Sequence, residues 1–155
     1  MLTTEKKTLR VGKFVDTNHV DTVIKNYKKE RWVHNSKRLG KEDSLSVWYT
    51  VQELQDFLQK ATEHGADGIK VYFGAYDAEH APKPLYAGRQ TVVLVATKQK
   101  ETGTGVINKD IYINTTKGHS ILAYNIGTLC PPFCSGDDGI GITIVDKGED
   151  GVVVA

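Results

Sequence analysis

The spacing of apolar residues predicts one helix that begins at Thr50. Apolar side chains recur on one face of the segment that follows, at Val51, Leu54, Phe57, Leu58 and Ala61. Thr50 and Glu53 have the three-residue spacing of a capping box, and Gly65 can adopt the left-handed conformation that ends many helices. The pattern therefore predicts a helix from Thr50 to His64.

A second helical pattern precedes this one and has a basic outer face. It runs from about Asn18 to Trp32, and Asp16, Thr17 or Asn18 could cap its N-terminus. Its apolar stripe consists of Val20, Val23, Ile24 and Tyr27. We expect this helix to pack through that stripe and to leave its basic side chains in solvent.

Two strands follow the capped helix. From Ile69 to Tyr76, apolar residues alternate with more polar or tyrosyl ones, which is typical of a strand with one buried face. From Thr91 to Thr97 both faces are apolar, as in a strand at the centre of a sheet. These two strands are predicted to lie side by side under the capped helix.

The remaining strands have weaker patterns. They are predicted at Thr8 to Val15, where Gly12 weakens the pattern, at Leu45 to Tyr49, at Asp110 to Thr115, and in a C-terminal hairpin of Ile142 to Val145 with Val152 to Val154. The segments Lys98 to Lys109 and Thr116 to Asp138 are rich in turn-forming residues and are predicted as loops.

The order of these elements indicates the fold class. Both helices precede most of the strands, and strands and helices do not alternate after residue 68. We therefore predict an α+β fold with a mostly antiparallel sheet, two helices packed on one face and a C-terminal hairpin. A chain of 155 residues is the usual size of one domain, so residues 1–155 are predicted to form a single domain.

The charge of the chain narrows the classes of partner that it is expected to bind. The chain has 20 basic and 19 acidic residues, so its net charge does not favour nucleic acid or an anionic membrane. The basic stretch from Lys25 to Lys41, with Tyr27 and Trp32 interleaved, could contact phosphates, but a solvated helix face is the commoner arrangement. Because acidic residues concentrate near the C-terminus, self-association of a basic face with an acidic tail is a further hypothesis.

The chain shows no targeting or membrane signal in its sequence pattern. Its first residues lack the apolar core of a secretory signal, and no run approaches the roughly 20 apolar residues of a membrane span. We therefore expect a cytoplasmic protein with no membrane association. In that reducing compartment Cys130 and Cys134 are expected to be thiols.

The motif from Cys130 to Cys134 is one candidate for chemistry. Two soft ligands four positions apart could hold half of a metal site or form a redox pair. The alternative is a rigid turn, made by Pro131 and Pro132, that buries two small thiols. A second pair of ligands with suitable spacing is missing, so no cofactor is predicted, and Cys130 and Cys134 are candidates for an unidentified metal.

The connection from Asp77 to Arg89 is the other candidate. Hairpin loops usually have two to five residues, so a connection of this length suggests a function. Tyr72, Tyr76, His80 and Arg89 could stack on and hydrogen-bond a small molecule or a protein partner. The alternative is a solvated loop held by its two prolines.

Several short motifs in this region resemble a group of uncharacterised small bacterial proteins. They are Trp48-Tyr49-Thr50, Gly65-Ala66-Asp67-Gly68-Ile69, Tyr72-Phe73-Gly74-Ala75-Tyr76, Gly88-Arg89-Gln90-Thr91 and Cys130-Pro131-Pro132-Phe133-Cys134. The resemblance implies no particular activity. It directs attention to the strand ending at Tyr76, the loop ending at Arg89 and the cysteine motif.

The sequence contains no complete catalytic constellation, since His80 has no identifiable partner nucleophile. The leading hypothesis is therefore a non-enzymatic module that binds a small molecule or a protein partner. The alternative hypothesis is a thiol-dependent redox or metal-binding protein centred on Cys130 and Cys134.

Overall fold

The computed structural model describes residues 10–134 and confirms an α+β fold with antiparallel sheets. The helices are α1 (Thr17–Tyr27), a π-helical turn (Lys28–Trp32), α2 (Val33–Leu39), α3 (Val51–Glu63) and a short 3₁₀ turn (Pro84–Tyr86). The strands are β1 (Ser46–Trp48), β2 (Gly68–Ala75), β3 (Gln90–Thr102), β4 (Gly105–Asp110), β5 (Tyr112–Thr115), β6 (Gly118–Ile121), β7 (Ala123–Tyr124) and β8 (Thr128–Cys130). The predicted C-terminal hairpin lies outside the described residues.

The first helix is longer than the sequence pattern predicted. It starts as expected, because the Asp16 carboxylate accepts the backbone N–H of His19 at 2.9 Å. The prediction that it ends at Trp32 was wrong: the π-helical turn leads directly into α2, and the helix ends at Gly40 with φ of 71°. Trp32 therefore lies inside this helix and not at its end. Its indole N–H donates to the carbonyl of Asp43 at 2.7 Å, which connects the helix to the segment that follows it.

The capped helix is confirmed in detail. The Thr50 hydroxyl accepts the N–H of Glu53 at 3.0 Å, and the Glu53 carboxylate accepts the N–H of Thr50 at 2.7 Å. Phe57 and Ala61 are the buried residues of α3 and form a core with Ala96 of β3 and Leu122. The helix is therefore fixed both by its cap and by its apolar face.

The two predicted central strands pair as expected. β2 and β3 are antiparallel, with Phe73 opposite Val92 and Ile69 opposite Ala96. On its other side β3 pairs with β7 near Leu94 and with β4 beyond Thr97. The apolar run is therefore central because strands flank it on both sides.

Two smaller antiparallel pairs complete the described fold. β1 pairs with β8, with Val47 opposite Leu129, and β5 pairs with β6. Tyr49, which follows β1, packs on Tyr124 with ring centroids 5.7 Å apart, and Tyr124 packs on Phe57 at 5.6 Å. This aromatic row connects the β1–β8 pair to the core under α3.

Three predictions about strands and loops were wrong. Residues 10–15 of the predicted strand from Thr8 to Val15 form no strand, and Phe14 is fully exposed, since nothing pairs with this segment in the described chain. The predicted loops 98–109 and 116–138 contain β4, β6, β7, β8 and the end of β3. β4 and β6 lie in exposed hairpins, where pairing rather than an apolar face determines the structure. β7 and β8 instead pair with strands that are distant in the sequence, β3 and β1.

None of the helices in the described part of the chain combines the length and the apolarity that a membrane span requires.

The capping box makes the stability of the chain depend on pH. The Thr50 N–H, and then the hydroxyls of Tyr124 and Thr50, hold the pKa of Glu53 below its ordinary value. A carboxyl whose folded pKa is lowered stabilises the fold above its unfolded pKa, about 4.3, and loses that effect as pH falls through the folded pKa. We expect wild type to be more stable than Glu53→Gln at pH 7, with the difference shrinking below about pH 4.

Urea unfolding of the two proteins from pH 7 to pH 3 measures this difference. The glutamine can still accept the Thr50 N–H, so it removes the charge and keeps the cap. A difference in midpoint that stays constant over this range would contradict the assignment.

Candidate functional site

A buried carboxylate joins the first helix to the start of β3. Asp43 is only 2% exposed. One of its oxygens accepts the backbone N–H groups of Ser44 at 2.9 Å and Gln90 at 2.7 Å, and the other accepts the Asn35 amide at 3.3 Å. A buried charge is tolerated only when it is well hydrogen-bonded, so this junction fixes its neighbours closely.

The backbone of the same segment is also held. The Asp43 N–H donates to the Ser36 hydroxyl at 2.9 Å, and the Ser44 hydroxyl donates to the carbonyl of Gln90. Together with the bond from Trp32, these contacts connect the long helix, residues 43–44 and β3. The helix is therefore placed by polar contacts as well as by packing.

The junction orients two side chains at the surface. The Tyr27 hydroxyl donates to the Gln90 side-chain oxygen at 2.7 Å. Burial, and then the negative charge of Asp43, raise the pKa of Tyr27 above its ordinary value, so the hydroxyl remains protonated and can donate. With its oxygen used by Tyr27, the Gln90 amide presents its NH₂ group as a donor.

These two residues border an open pocket of about 270 Å³. Its walls are formed by Tyr27, Ser44, Leu45, Ser46, Val47, Phe73, Gln90, Thr91 and Val92. None of these wall residues from the described chain is ionisable at neutral pH, and four of the nine, Leu45, Val47, Phe73 and Val92, are apolar. The volume is near the lower end of small-molecule sites, about 300 Å³.

Phe73 gives this pocket an aromatic wall. Its side chain is 82% exposed, whereas the alternation of β2 had predicted that Phe73 and Val71 face a buried side. That prediction was wrong for both residues, because α3 covers the Ile69 end of this face and not the Phe73 end. An exposed ring beside oriented hydrogen-bonding groups can stack on a flat ligand and fix its edge.

Arg89, one of the four residues predicted to bind a ligand, is used inside the fold. It is 6% exposed, and its guanidinium donates to the carbonyls of Glu42, at 2.7 Å, and of Leu85. The side chain thus holds the connection from residue 77 to 89 against the segment before β1.

Tyr76 lies beside this clamp. Its ring stacks on Tyr86, with centroids 5.5 Å apart, and its hydroxyl accepts from Thr91 at 3.2 Å. Tyr86 is only 1% exposed, and its hydroxyl accepts the N–H of Leu129 at 3.2 Å. The connection from residue 77 to 89 therefore packs on the fold through Tyr86, although other residues of the connection are exposed.

The other two predicted residues lie apart from this cluster. The Tyr72 hydroxyl donates to Asp110 at 2.7 Å, and Lys70 forms an ion pair with the same carboxylate at 2.9 Å. His80 is exposed in the connection. The structure thus brings Tyr76 and Arg89 to one end of β2 but not Tyr72, which is four residues away, about 13 Å along the strand. A ligand role for these four residues remains a prediction.

The residues that border the pocket are not among the four that the sequence predicts to bind a ligand. The sequence contains a weak indication of a role for Gln90, because it is the one polar residue on the strand face that also carries Val92, Leu94 and Ala96. Tyr27 was assigned to the apolar stripe of the helix, and its hydroxyl could not be placed without the fold. Ser44 and Ser46 have no distinctive spacing.

The cysteines differ from the prediction that they are thiols. Cys130 and Cys134 form a disulfide, with Cα atoms 4.7 Å apart, and both residues are partly exposed. The prediction of thiols depends on the expected reducing compartment and does not take into account the distance between the two cysteines in the fold. In this state the sulfurs are not available as metal ligands, since a metal binds thiolates.

The described residues contain no group of three histidine, cysteine, aspartate or glutamate side chains placed to hold a metal ion. Comparison of the chain with protein-family models, with curated proteins and with solved structures found no match.

Proposed function

We propose that this chain is a non-enzymatic binding module whose ligand is a small, uncharged molecule with one flat face and a hydrogen-bonding edge. The observation that carries the proposal is the exposed Phe73 ring beside the Tyr27–Gln90 pair in one pocket. The flat face would stack on Phe73, and the edge would accept from the Gln90 amide.

The walls of the pocket support an uncharged ligand. A charged ligand would have to leave water for a site whose described walls offer no opposite charge, and that transfer is unfavourable. The buried Asp43 lies behind Gln90 and would repel an anion further. The proposal includes the cytoplasmic location expected from the sequence.

A substitution that fills the pocket tests the proposal. Ser46 is an exposed wall residue on β1, so Ser46→Trp should fill the pocket without disturbing the core. We expect neutral heteroaromatic amides to raise the melting temperature of wild type, and Ser46→Trp to weaken their binding at least about tenfold. Calorimetric titration of the best compound with both proteins measures the affinities.

The chain offers a matched control in Ser120→Trp, because Ser120 is another exposed strand serine and lies outside the pocket. This variant should bind as wild type does. Equal loss of affinity in both variants, or a preference for carboxylates over neutral amides, would count against the proposed site.

The disulfide favours a second candidate function, reversible thiol oxidation. Structural disulfides are rare in reducing compartments, where protein disulfides are usually transient. If the chain is cytoplasmic, the Cys130–Cys134 pair would exchange with glutathione: two thiols become one disulfide while one oxidised glutathione is reduced to two glutathione molecules.

Equilibration with glutathione buffers tests this candidate. A redox role predicts that the oxidised and reduced forms are both populated near the cytosolic poise, which lies roughly between −220 and −320 mV. Mass spectrometry after acid quenching and alkylation counts the thiols, and Cys134→Ser is the control that cannot close the ring. A pair that stays fully oxidised or fully reduced across this range would exclude the role.

A further inference from the structure

One edge of β2 is unpaired in the described part of the chain. β2 pairs with β3 on one side, and no strand of residues 10–134 pairs with its other side. An unpaired edge of eight residues presents backbone groups that another strand can bind.

The hydrogen bonds of β3 show which groups of β2 point outward. The N–H of Ala96 donates to Leu122 at 3.0 Å, and the carbonyl of Val92 accepts from Asn125 at 2.6 Å, so both point away from β2. In an antiparallel pair, two residues opposite each other either both point their backbone N–H and C=O groups toward the partner strand or both point them away from it. The partners of Ala96 and Val92, which are Ile69 and Phe73, therefore direct theirs to the free edge, and by alternation so do Val71 and Ala75.

The side chains along this edge are apolar and exposed. Phe73 is 82% exposed and Val71 49% exposed. Lysines often protect an edge strand from pairing, but Lys70 of β2 is bound to Asp110 across the sheet at 2.9 Å. Its charge is therefore compensated within its own chain and does not oppose an approaching strand.

We infer that the β2 edge binds a second copy of this chain, strand against antiparallel strand, about a two-fold axis at Tyr72. In this register Val71 is opposite Phe73 of the second copy, with their outward backbone groups bonded, and the reverse pair follows by symmetry. The exposed apolar side chains thus lie side by side on one face of the joined sheet, and Lys70 is opposite Gly74.

Burial, apolar pairing and the length of the overlap favour this register over its neighbours. An axis at Val71 would place Phe73 opposite Ile69, which already packs on the core of its own chain. An axis at Lys70 would place Phe73 opposite Asp67, which is charged and precedes the strand, so the exposed ring would gain no apolar partner. An axis at Phe73 would also pair exposed apolar residues, but the strands would then overlap over five residues (71–75), whereas the axis at Tyr72 gives an overlap of seven (69–75).

The interface is small, which sets its expected strength. In this register residues 69–75 of the two strands overlap over about 23 Å, and such a contact buries less than the roughly 1,200 Å² of stable complexes. We therefore expect a dimer that forms at roughly micromolar to millimolar concentration and dissociates on dilution.

Sedimentation velocity of the full chain over that concentration range tests the inference. Wild type should shift from one to two chains as concentration rises, whereas Val71→Lys should remain a monomer throughout. Val106→Lys makes the same change at an exposed valine of β4 and should behave as wild type. Val71 is not a wall of the pocket, so failure of this test would leave the proposed ligand site intact.

Hydrogen exchange of unmodified wild type gives a second measurement that does not depend on a variant. The amides of Val71 and Phe73 should exchange slowly at high concentration and rapidly after dilution. Wild type that stays monomeric, or edge amides protected equally at every concentration, would overturn the inference. The latter result would mean that a segment of the same chain covers the edge.

Discussion

Replacing Asp43 with alanine is expected to lower the free energy of unfolding by about 3 kcal/mol or more. The carboxylate is the acceptor for the N–H groups of Ser44 and Gln90 and for the Asn35 amide, at a site from which water is nearly excluded. Each buried donor left without a partner costs about 1–3 kcal/mol. Urea unfolding at pH 7 measures the change in midpoint.

The conservative variant Asp43→Asn separates hydrogen bonding from charge. Its side-chain oxygen can still accept from Ser44 and Gln90, so we expect it to retain most of the stability that alanine loses. If both variants were equally unstable, the negative charge rather than the set of acceptors would be the stabilising feature. If neither were destabilised, the junction would have no structural role.

The same substitution should affect the pocket. Gln90 is held at its backbone by Asp43 and Ser44 and at its side chain by Tyr27. Without the carboxylate the start of β3 loses one of these contacts, so the amide is less well oriented for a ligand. The pocket is in this sense a consequence of the polar junction beneath it.

Elements with local signals could be predicted from the sequence. The capping box at Thr50, the left-handed Gly65 and the apolar run from Thr91 to Thr97 each depend on residues close together in the chain, and the structure confirms all three. Their physical causes act over a few residues, so they do not require knowledge of the rest of the fold.

Elements without an apolar pattern could not be predicted in this way. β4 consists of residues that are mostly exposed, and its only local signal is the two-residue Gly103-Thr104 turn between paired Thr102 and Gly105. The first helix continues past Trp32, whose indole contacts the carbonyl of Asp43, a residue beyond the end of the helix. Such contacts join segments whose pairing is known only after folding.

The candidate site illustrates the same limit. The sequence predicts Arg89 and Tyr76 as ligand-binding residues because polar and aromatic residues in a long connection often bind ligands, and the structure adds that both also contact other parts of the fold. The sequence shows which side chains can bind, but not which of them are already occupied. The pocket residues come from the long helix, β1, β2 and β3, and sequence spacing does not bring them together.

Replacing Gly127 with alanine is expected to destabilise the chain by about 3 kcal/mol. A Cβ at this buried position would lie 2.6 Å from Val47 Cγ1 and 2.8 Å from the backbone oxygen of Trp48. Trp48 is paired with Thr128 in the β1–β8 ladder, so a shift of its backbone would disturb that pairing. The preceding residue, Ile126, already has φ of 69°, which is unfavourable for a β-branched residue, so the segment has little freedom to adjust.

Gly103→Ala is the matched control, because nothing lies within 4 Å of the Cβ that it would add. In this variant the reduced freedom of the unfolded chain should dominate, and the stability should change by less than about 1 kcal/mol. Thermal and urea unfolding of the two variants gives the comparison. A Gly127→Ala protein as stable as Gly103→Ala would show that the β1–β8 pair is not held tightly against residues 126–127, and with it one wall of the pocket would lose its support.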